Sequence, residues 1–386
     1  MRKELSFPEE EYRQRVARAR RLMGGEELDS LLIAAGPNLT YLSGYPSPER
    51  SGARPFIFIL PSTGEPVLIV QNGRQFEGHR YSWVEDVYTY AELSRAPLAV
   101  IHATLREMGL AEARIGMELG FEQCLDIPVL DFLQLRHDLP AARFVDAADI
   151  LWQLRMVKSQ AEIACLSKAC EITSRCYEEC LPQIRAGMTE LDVFHLLAGK
   201  TYELGGESPW AVILSGEGNY DFVSKAPTSR VLQQGDMVWI DSGCSVSGYW
   251  SDFGRAAVLG GPTPQQRHAQ QAIHEITILG VEMVRPGIRA SEIAKACNTE
   301  LEKLDFAYTS CISGLASRVG HGIGLAVTEL PHVSECNDTI LEPGMVITVE
   351  PGVATKYGTF HVEEDVLVTE RGYELLSLAS RELWSV

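Results

Sequence analysis

No run of about 18 apolar residues occurs in this chain, and no charged-then-apolar leader precedes a small-residue cleavage site. Those absences argue against membrane insertion and secretion, so a cytoplasmic protein with no membrane partner is expected. Basic residues are in deficit: 34 Lys and Arg face 52 Asp and Glu, a formal charge of −18. A surface of that sign disfavours nucleic acid, whose phosphates need positive charge opposite them. Part of the acid excess suits cation binding instead. The nine cysteines include no CxxC pair, and their number is odd. A zinc knuckle needs a tighter cluster, so reduced, mostly buried thiols in a reducing cytoplasm are expected. No internal repeat at a period of about 20–50 residues is visible.

What is present is chain enough for two cores. With 386 residues, 45% hydrophobic and 22% charged, the expectation is a soluble globular protein of two domains and α/β (α+β) class. Residues 1 to about 150 alternate helix and strand. A helix is predicted over 8–23, a strand in LDSLLIA (28–34), and a hairpin from PFIFILP (55–61) and PVLIV (66–70). A helix over 97–108, the strand ARIGMEL (113–119) and the helix IPVLDFLQLRH (127–137) follow. The composition changes at ADILWQLRMVKSQAEIACLSKACEITSRCYEECL, a long helical region broken once near Lys158, with Ser159 as N-cap. Another helix starts at Thr189, with Glu190 and Asp192 in its first turn. The strand MVWIDSG (237–243) and its hairpin partner VSGYWSDFGRAAVLG (246–260) come next. Helices near 263–284 and 290–305 precede the strands GMVITVEPG (344–352) and FHVEEDVLVT (360–369).

Strands avoid acids, yet four acids sit in or against these apolar strands. Asp241 follows Met-Val-Trp-Ile, Asp252 lies in the paired strand, Glu350 follows VITV and precedes Pro351-Gly352, and Glu363 runs on into VLVT. Singly, each reads as an edge or turn residue. Together, with few bases nearby, they would repel one another strongly if buried. Two divalent cations would neutralise them. His321, in VGHGIGL (319–325), supplies a fifth ligand, and its flanking glycines are expected to clear space around a metal-bound ring. Oxygen ligands with one nitrogen suit manganese, cobalt, iron or zinc. Such a two-metal site can hold a bridging water or hydroxide.

The order Asp241, Asp252, His321, Glu350, Glu363 resembles the dinuclear metal signature of the pita-bread metallohydrolases. These include methionine aminopeptidase, aminopeptidase P, prolidase and creatinase. The resemblance is carried by IDSGCSVSGYWSDFGR, VGHGIGL, LEPGMVITVEPG and HVEEDVLVT. LRMVKSQAEIACLSKA resembles the entry helix of the catalytic domain, and NLTYLSGY (38–45) resembles a stretch of the smaller N-terminal domain. The resemblance implies a creatinase/prolidase-type N-terminal α/β domain over 1–152 and a pita-bread catalytic domain over 153–386. It also implies a homodimer. The implied activity is a metal-dependent, Xaa-Pro peptidase-like hydrolase that cleaves a peptide or small amide bond with a metal-bridging hydroxide. Carried over, Asp241 would chelate one metal, Asp252 and Glu363 would bridge both, and His321 would bind the second. Glu350 would bind that second metal and shuttle a proton, so Glu350 and His321 are the catalytic candidates. The VLVT match places the ligand at Glu363. Strand alternation puts Glu364 on the face of Val362 and Val366. Creatinase lacks this metal set, and its metal-free chemistry is not implied.

The substrate apparatus departs from the family pattern. Ser224 stands where proline-directed members carry a histidine, and Thr328 replaces the histidine of a His-Glu pair after the glycine-rich loop. The position two before the last ligand, often Arg, is His361. His332 is a candidate replacement ring, set against an ordinary solvated loop histidine. Ser224, Thr328, His332 and His361 are therefore the candidate substrate contacts. The departures keep open a non-peptidase of the same fold, resembling ectoine hydrolase or the lyase that cleaves dimethylsulfoniopropionate. A non-catalytic scaffold is a further alternative, against which the complete ligand set weighs.

Overall fold

The computed structural model describes residues 3–34, 36–46, 54–222 and 224–386. The chain divides into two compact units, Met1–Arg155 and Met156–Val386. No helix among the described residues is long and apolar enough to cross a membrane.

The first unit is built on a six-stranded mixed sheet in the order β4-β3-β2-β1-β5-β6. Its strands are β1 (Ser30–Ile33), β2 (Ile57–Pro61), β3 (Val67–Gln71), β4 (Asp86–Tyr90), β5 (Arg114–Met117) and β6 (Arg143–Asp146). The expected hairpin is the antiparallel pair β2–β3, with Phe58 opposite Leu68. β1 is buried along its whole length, as an interior strand of such a sheet should be. Helices α1 (Glu9–Gly25), α2 (Gly36–Ser43), α3 (Gln75–Tyr81), α4 (Leu98–Glu107), α5 (Val129–Asp138) and α6 (Ala148–Met156) complete the unit. Its core gathers Leu32, Ile59, Ile69, Ile101 and Ile115.

The second unit opens with α7 (Gln160–Cys180) and α8 (Glu190–Glu203). The break expected near Lys158 is a capping box. Glu162 N–H donates to Ser159 Oγ at 3.3 Å, and Ser159 N–H donates to Glu162 Oε2 at 2.9 Å. Thr189 and Asp192 build the same device before α8. Each cap contributes about 1 kcal/mol and fixes where its helix starts. Strands β7 (Glu207–Ser215), β8 (Met237–Val246), β9 (Tyr249–Trp250) and β10 (Phe253–Val258) come next, then α9 (Pro264–Met283) and α10 (Ala290–Leu301). The chain continues through β11 (Ser310–Cys311), α11 (Ile312–Ala316), β12 (Val346–Val349), β13 (Gly352–Thr355), β14 (Gly358–His361), β15 (Glu364–Thr369), β16 (Gly372–Leu375) and β17 (Trp384–Ser385). β8 lies between β7 and β10, and the ladders β12–β15–β16 and β11–β13–β14 form two smaller sheets. All nine cysteines are free, and five are buried.

Three segments expected as continuous strands are broken, and each break carries an acid. The 246–260 segment interrupts at Ser251–Asp252, between β9 and β10. The 344–352 segment leaves the ladder after Val349, and a new strand begins at Gly352. The 360–369 segment breaks at Val362–Glu363. The last two breaks lie side by side: Val349 pairs with Glu364 in one sheet, while Gly352 pairs with His361 in the other. Both chains therefore change sheets at the same level, and Glu350 and Glu363 occupy that corner. Of the four acids, only Asp241 lies within a strand, opposite Gly254 and Val212.

Candidate metal centre

His321 is held by backbone crowding on both sides. A Cβ on Gly320 would overlap the Thr348 carbonyl, and one on Gly322 would overlap the Leu330 carbonyl. Neither glycine has a positive φ. They do not clear space around the imidazole, as expected from sequence; they let the loop thread between β12 and the Leu330–Val333 segment. Bridges from Gly322 to Ile347 and to Glu329 fix that path. Gly324 is pressed the same way, since a Cβ there would sit 2.7 Å from Glu329 Oε2. Glu329 is buried and pairs with buried Lys158 at 3.4 Å. The His321 Nδ1–H donates to Gly322 O at 2.9 Å, which presents Nε2 as a lone pair. Burial lowers the pKa of His321, keeping the ring in its neutral, ligating form.

The Nε2 atom points into the acids. It lies 3.5 Å from Asp252 Oδ2 and 3.6 Å from Glu350 Oε1. Asp252, His321 and Glu363 each offer a ligand atom within 4.8 Å of the others, and Glu350, His361 and Glu363 do likewise. Asp241 Oδ1, Asp252 Oδ1 and both oxygens of Glu363 are buried with no hydrogen-bond partner among the described residues. Burial pushes Asp241 up to about 6 and raises Asp252 and Glu363 further from their ordinary range, with the neighbouring acids adding to the last two. Burial also works against an ionised Glu350. The His361 contact, the nearby imidazoles and the Arg318 guanidinium outweigh it and pull Glu350 down to about 2. Orphaned carboxylate oxygens around a neutral imidazole are what divalent cations satisfy, so the donor set fits them.

The neighbouring Glu364 differs in kind. It accepts from Arg255 Nη2 at 3.1 Å and Arg381 Nε at 2.7 Å, and from Ser377 Oγ. Its charge is answered by protein, whereas that of Glu363 is not. Asp365 supports the corner from behind: its Oδ2 accepts the Asp252 N–H at 3.0 Å and the Cys170 thiol at 3.1 Å.

A cavity of about 240 Å³ opens on this cluster. Asp241, Asp252, His321 and Glu350 line it, together with the candidate contacts Ser224, Thr328 and His361. The His361 ring packs edge-on against Trp239 at 5.2 Å, and its Nε2 lies 3.5 Å from Glu350 Oε2. Gly352 makes room for it, since a Cβ there would lie 2.5 Å from the His361 Cδ2. His332 does not line the cavity. Its Nδ1 faces Arg318 Nη1 at 3.2 Å, so it stands behind that arginine. Arg318 itself lines the cavity and was not among the residues singled out from sequence. One signal was available: it is the only Lys or Arg between Lys303 and Lys356. Trp210 and Phe222, also on the wall, carry no comparable signal.

The family model for metallopeptidase family M24 matches residues 164–370, and that for the creatinase/prolidase N-terminal domain matches 15–157. The chain is 28% identical over 364 residues to an Xaa-Pro dipeptidase of Pyrococcus horikoshii, covering 94% of this chain and 96% of that protein. The crystal structure of the prolidase from Pyrococcus horikoshii superposes with a TM-score of 0.81 at 26% identity, covering 96% of this chain and 99% of that one. A dipeptidase from Mycobacterium ulcerans superposes with a TM-score of 0.82 at 28% identity, over 98% and 99% of the two chains.

Proposed function

The chain belongs to metallopeptidase family M24, and from that premise we propose that it hydrolyses a small amide of the Xaa-Pro class with two divalent cations held by Asp241, Asp252, His321, Glu350 and Glu363. The observation that carries this reading is the set of buried carboxylate oxygens without a hydrogen-bond partner, on Asp241, Asp252 and Glu363. When bound, such cations supply Lewis acidity and a water that deprotonates near neutral pH. The protein's own part is positional. Asp252 is fixed through its backbone by Asp365, and His321 is fixed through Nδ1, so both present their ligand atoms without reorganisation. Glu350, ionised at neutral pH and facing both imidazoles, is the group suited to accept a proton at Oε2 and return it to the leaving amine. The apolar walls Trp210, Val212 and Phe222 exclude water from the far side of the substrate.

A second reading, hydrolysis of a small non-peptide amide, draws on Ser224 and Thr328. Both line the cavity, and neither hydroxyl can carry the positive charge of an imidazolium at neutral pH. Elemental analysis and a substrate panel separate the two. The metallohydrolase reading expects about two divalent ions per chain. It also expects Asp252→Asn to lose metal together with turnover. Active protein free of metal and indifferent to chelators would end it.

A further inference from the structure

Asp252 lies in the gap between β9 and β10, outside the ladders that both strands make with β8. Strand pairing therefore does not fix its position, and the polar groups that do so come from α7. Cys170, Thr173 and Tyr177 fall at i, i+3 and i+7 of that helix, on one face, and all three are buried. A buried helix face is ordinarily apolar, and a polar group on it needs a partner. The partners of these three converge on three consecutive residues. Thr173 Oγ1 and Ser251 Oγ are hydrogen-bonded at 2.9 Å. The Cys170 thiol donates at 3.1 Å to Asp365 Oδ2, the same oxygen that accepts the Asp252 N–H at 3.0 Å. The Tyr177 hydroxyl shares its proton between Phe253 O at 2.8 Å and Ile240 O at 3.1 Å, the carbonyl just before Asp241. Gly243 of β8 closes against the same segment, since a Cβ there would lie 1.8 Å from Ser251 O. None of these bonds is made to the Asp252 carboxylate, whose Oδ1 has no partner among the described residues.

We propose that Cys170, Thr173 and Tyr177 are positioning residues, a polar stripe on α7 that sets the backbone of Ser251–Phe253 and so aims the Asp252 carboxylate at the cations. Stability alone does not call for such a stripe, because apolar groups of the same shape on both sides of a buried hydrogen bond can serve a fold about as well. What the polar groups add is direction. The Tyr177 hydroxyl has a second effect. It ties the residue before Asp241 to the residue after Asp252, and so holds the spacing of two ligands that stand on different strands. The stripe acts through the backbone and leaves the carboxylate oxygens free, as a group that holds a ligand without competing for it must. The inference rests on the metallopeptidase reading, since without cations there is nothing for Asp252 to be aimed at.

The test titrates the chelator-stripped full chain with cobalt(II). Visible absorption and competition with a chromophoric chelator read the binding, and thermal melts of the metal-free protein run beside them. The visible bands report how the ligands are arranged, which a loss of packing alone would not move. Cys170→Ala, Thr173→Val and Tyr177→Phe are each expected to weaken cobalt binding about 10–100-fold and to shift the bands. Thr173→Ser keeps the hydroxyl and is expected to bind as the wild type does. Cys176→Ala is the control: that thiol is also buried on α7, but it meets Thr201 Oγ1 of α8 at 3.4 Å. It is expected to lower the melting temperature and to leave cobalt binding unchanged. Wild-type affinity and bands in the first three variants overturn the proposal. So does a loss of affinity of the same size in Cys176→Ala or in Thr173→Ser. If Tyr177→Phe fails to fold, Cys170→Ala and the two Thr173 variants decide. Wild-type protein that takes up no cobalt ends the metallopeptidase reading and this inference with it, whereas cobalt uptake that is equal in wild type and variants ends this inference alone.

Discussion

Arg255 Nη2 donates to Glu364 Oε1 at 3.1 Å, and both side chains are sealed from solvent. One residue earlier, Glu363 has two buried oxygens and no donor among the described residues. Adjacent glutamates thus have opposite energetics. Glu364→Gln should leave Arg255 uncompensated and cost about 3–5 kcal/mol. Glu363→Gln should leave the metal-free protein as stable as the wild type or more so, because it removes a repelled charge, and should lose metal. Thermal melts with and without chelator, together with elemental analysis, check both. Equal destabilisation by the two substitutions would contradict this division.

Stability of the metal-free protein should fall as pH rises from about 4 towards neutrality. Asp241 moves from an ordinary 3.8 up to about 6 in the folded chain, and Asp252 and Glu363 move in the same direction. A carboxyl whose folded pKa is raised binds more protons folded than unfolded. Its stabilisation is complete below the unfolded value and is lost as pH rises through the folded one. Glu350, lowered to about 2, acts oppositely, and only below about pH 4.5. Melting temperature against pH, with chelator and then with manganese, reads this out. The fall should vanish when manganese is saturating; a fall of the same size with and without metal would contradict it.

Gly320→Ala and Gly322→Ala should each cost about 1–3 kcal/mol by overpacking against a backbone carbonyl that cannot withdraw. Both should displace His321 and weaken metal retention. Gly372→Ala is the control, since a Cβ there meets nothing within 4 Å. Guanidinium chloride unfolding of the three variants ranks them. Behaviour of Gly322→Ala like the control would show that the loop has slack the structure does not suggest.

Ser224→His with Thr328→His should raise turnover of simple Xaa-Pro dipeptides, because both positions line the cavity. An aimed donor at developing negative charge is worth roughly 100-fold in rate. The wild type should fall below about 10⁴ M⁻¹s⁻¹ in kcat/KM on these substrates. Wild-type turnover above that level would mean the hydroxyls, or His361 beside Glu350, already suffice.

The two-layered logic of the chain was legible where a local rule decides the outcome. Ser159 with Glu162, and Thr189 with Asp192, announce helix starts in four residues, and both form. Asp241 stands out because the four residues before it in β8 are all apolar and buried. The strand breaks at Asp252, Glu350 and Glu363 were not legible. An apolar run reads the same whether it stays in one sheet or crosses to another, and the crossing is set by pairing with distant strands. The glycines around His321 were misread for a related reason: their need is imposed by Thr348 and Leu330, which sequence does not place beside them. Arg318 was overlooked because its direction depends on the left-handed Ser317, a residue type that carries no such signal.

Lys158 and Glu329 meet across 171 residues. Chain growth is vectorial, so that distance is also a delay. When Asp241 leaves the ribosome, His321, Glu350 and Glu363 have not been made, and its carboxylate stays hydrated at the end of an unfinished sheet. Lys158, at the start of the second unit, waits longer still for the acid that will neutralise it. No partial chain ending before Glu363 possesses the full set of acids. Under the proposed function, therefore, no chain shorter than 363 residues can hold cations with all five ligands, and loading follows completion of the polypeptide.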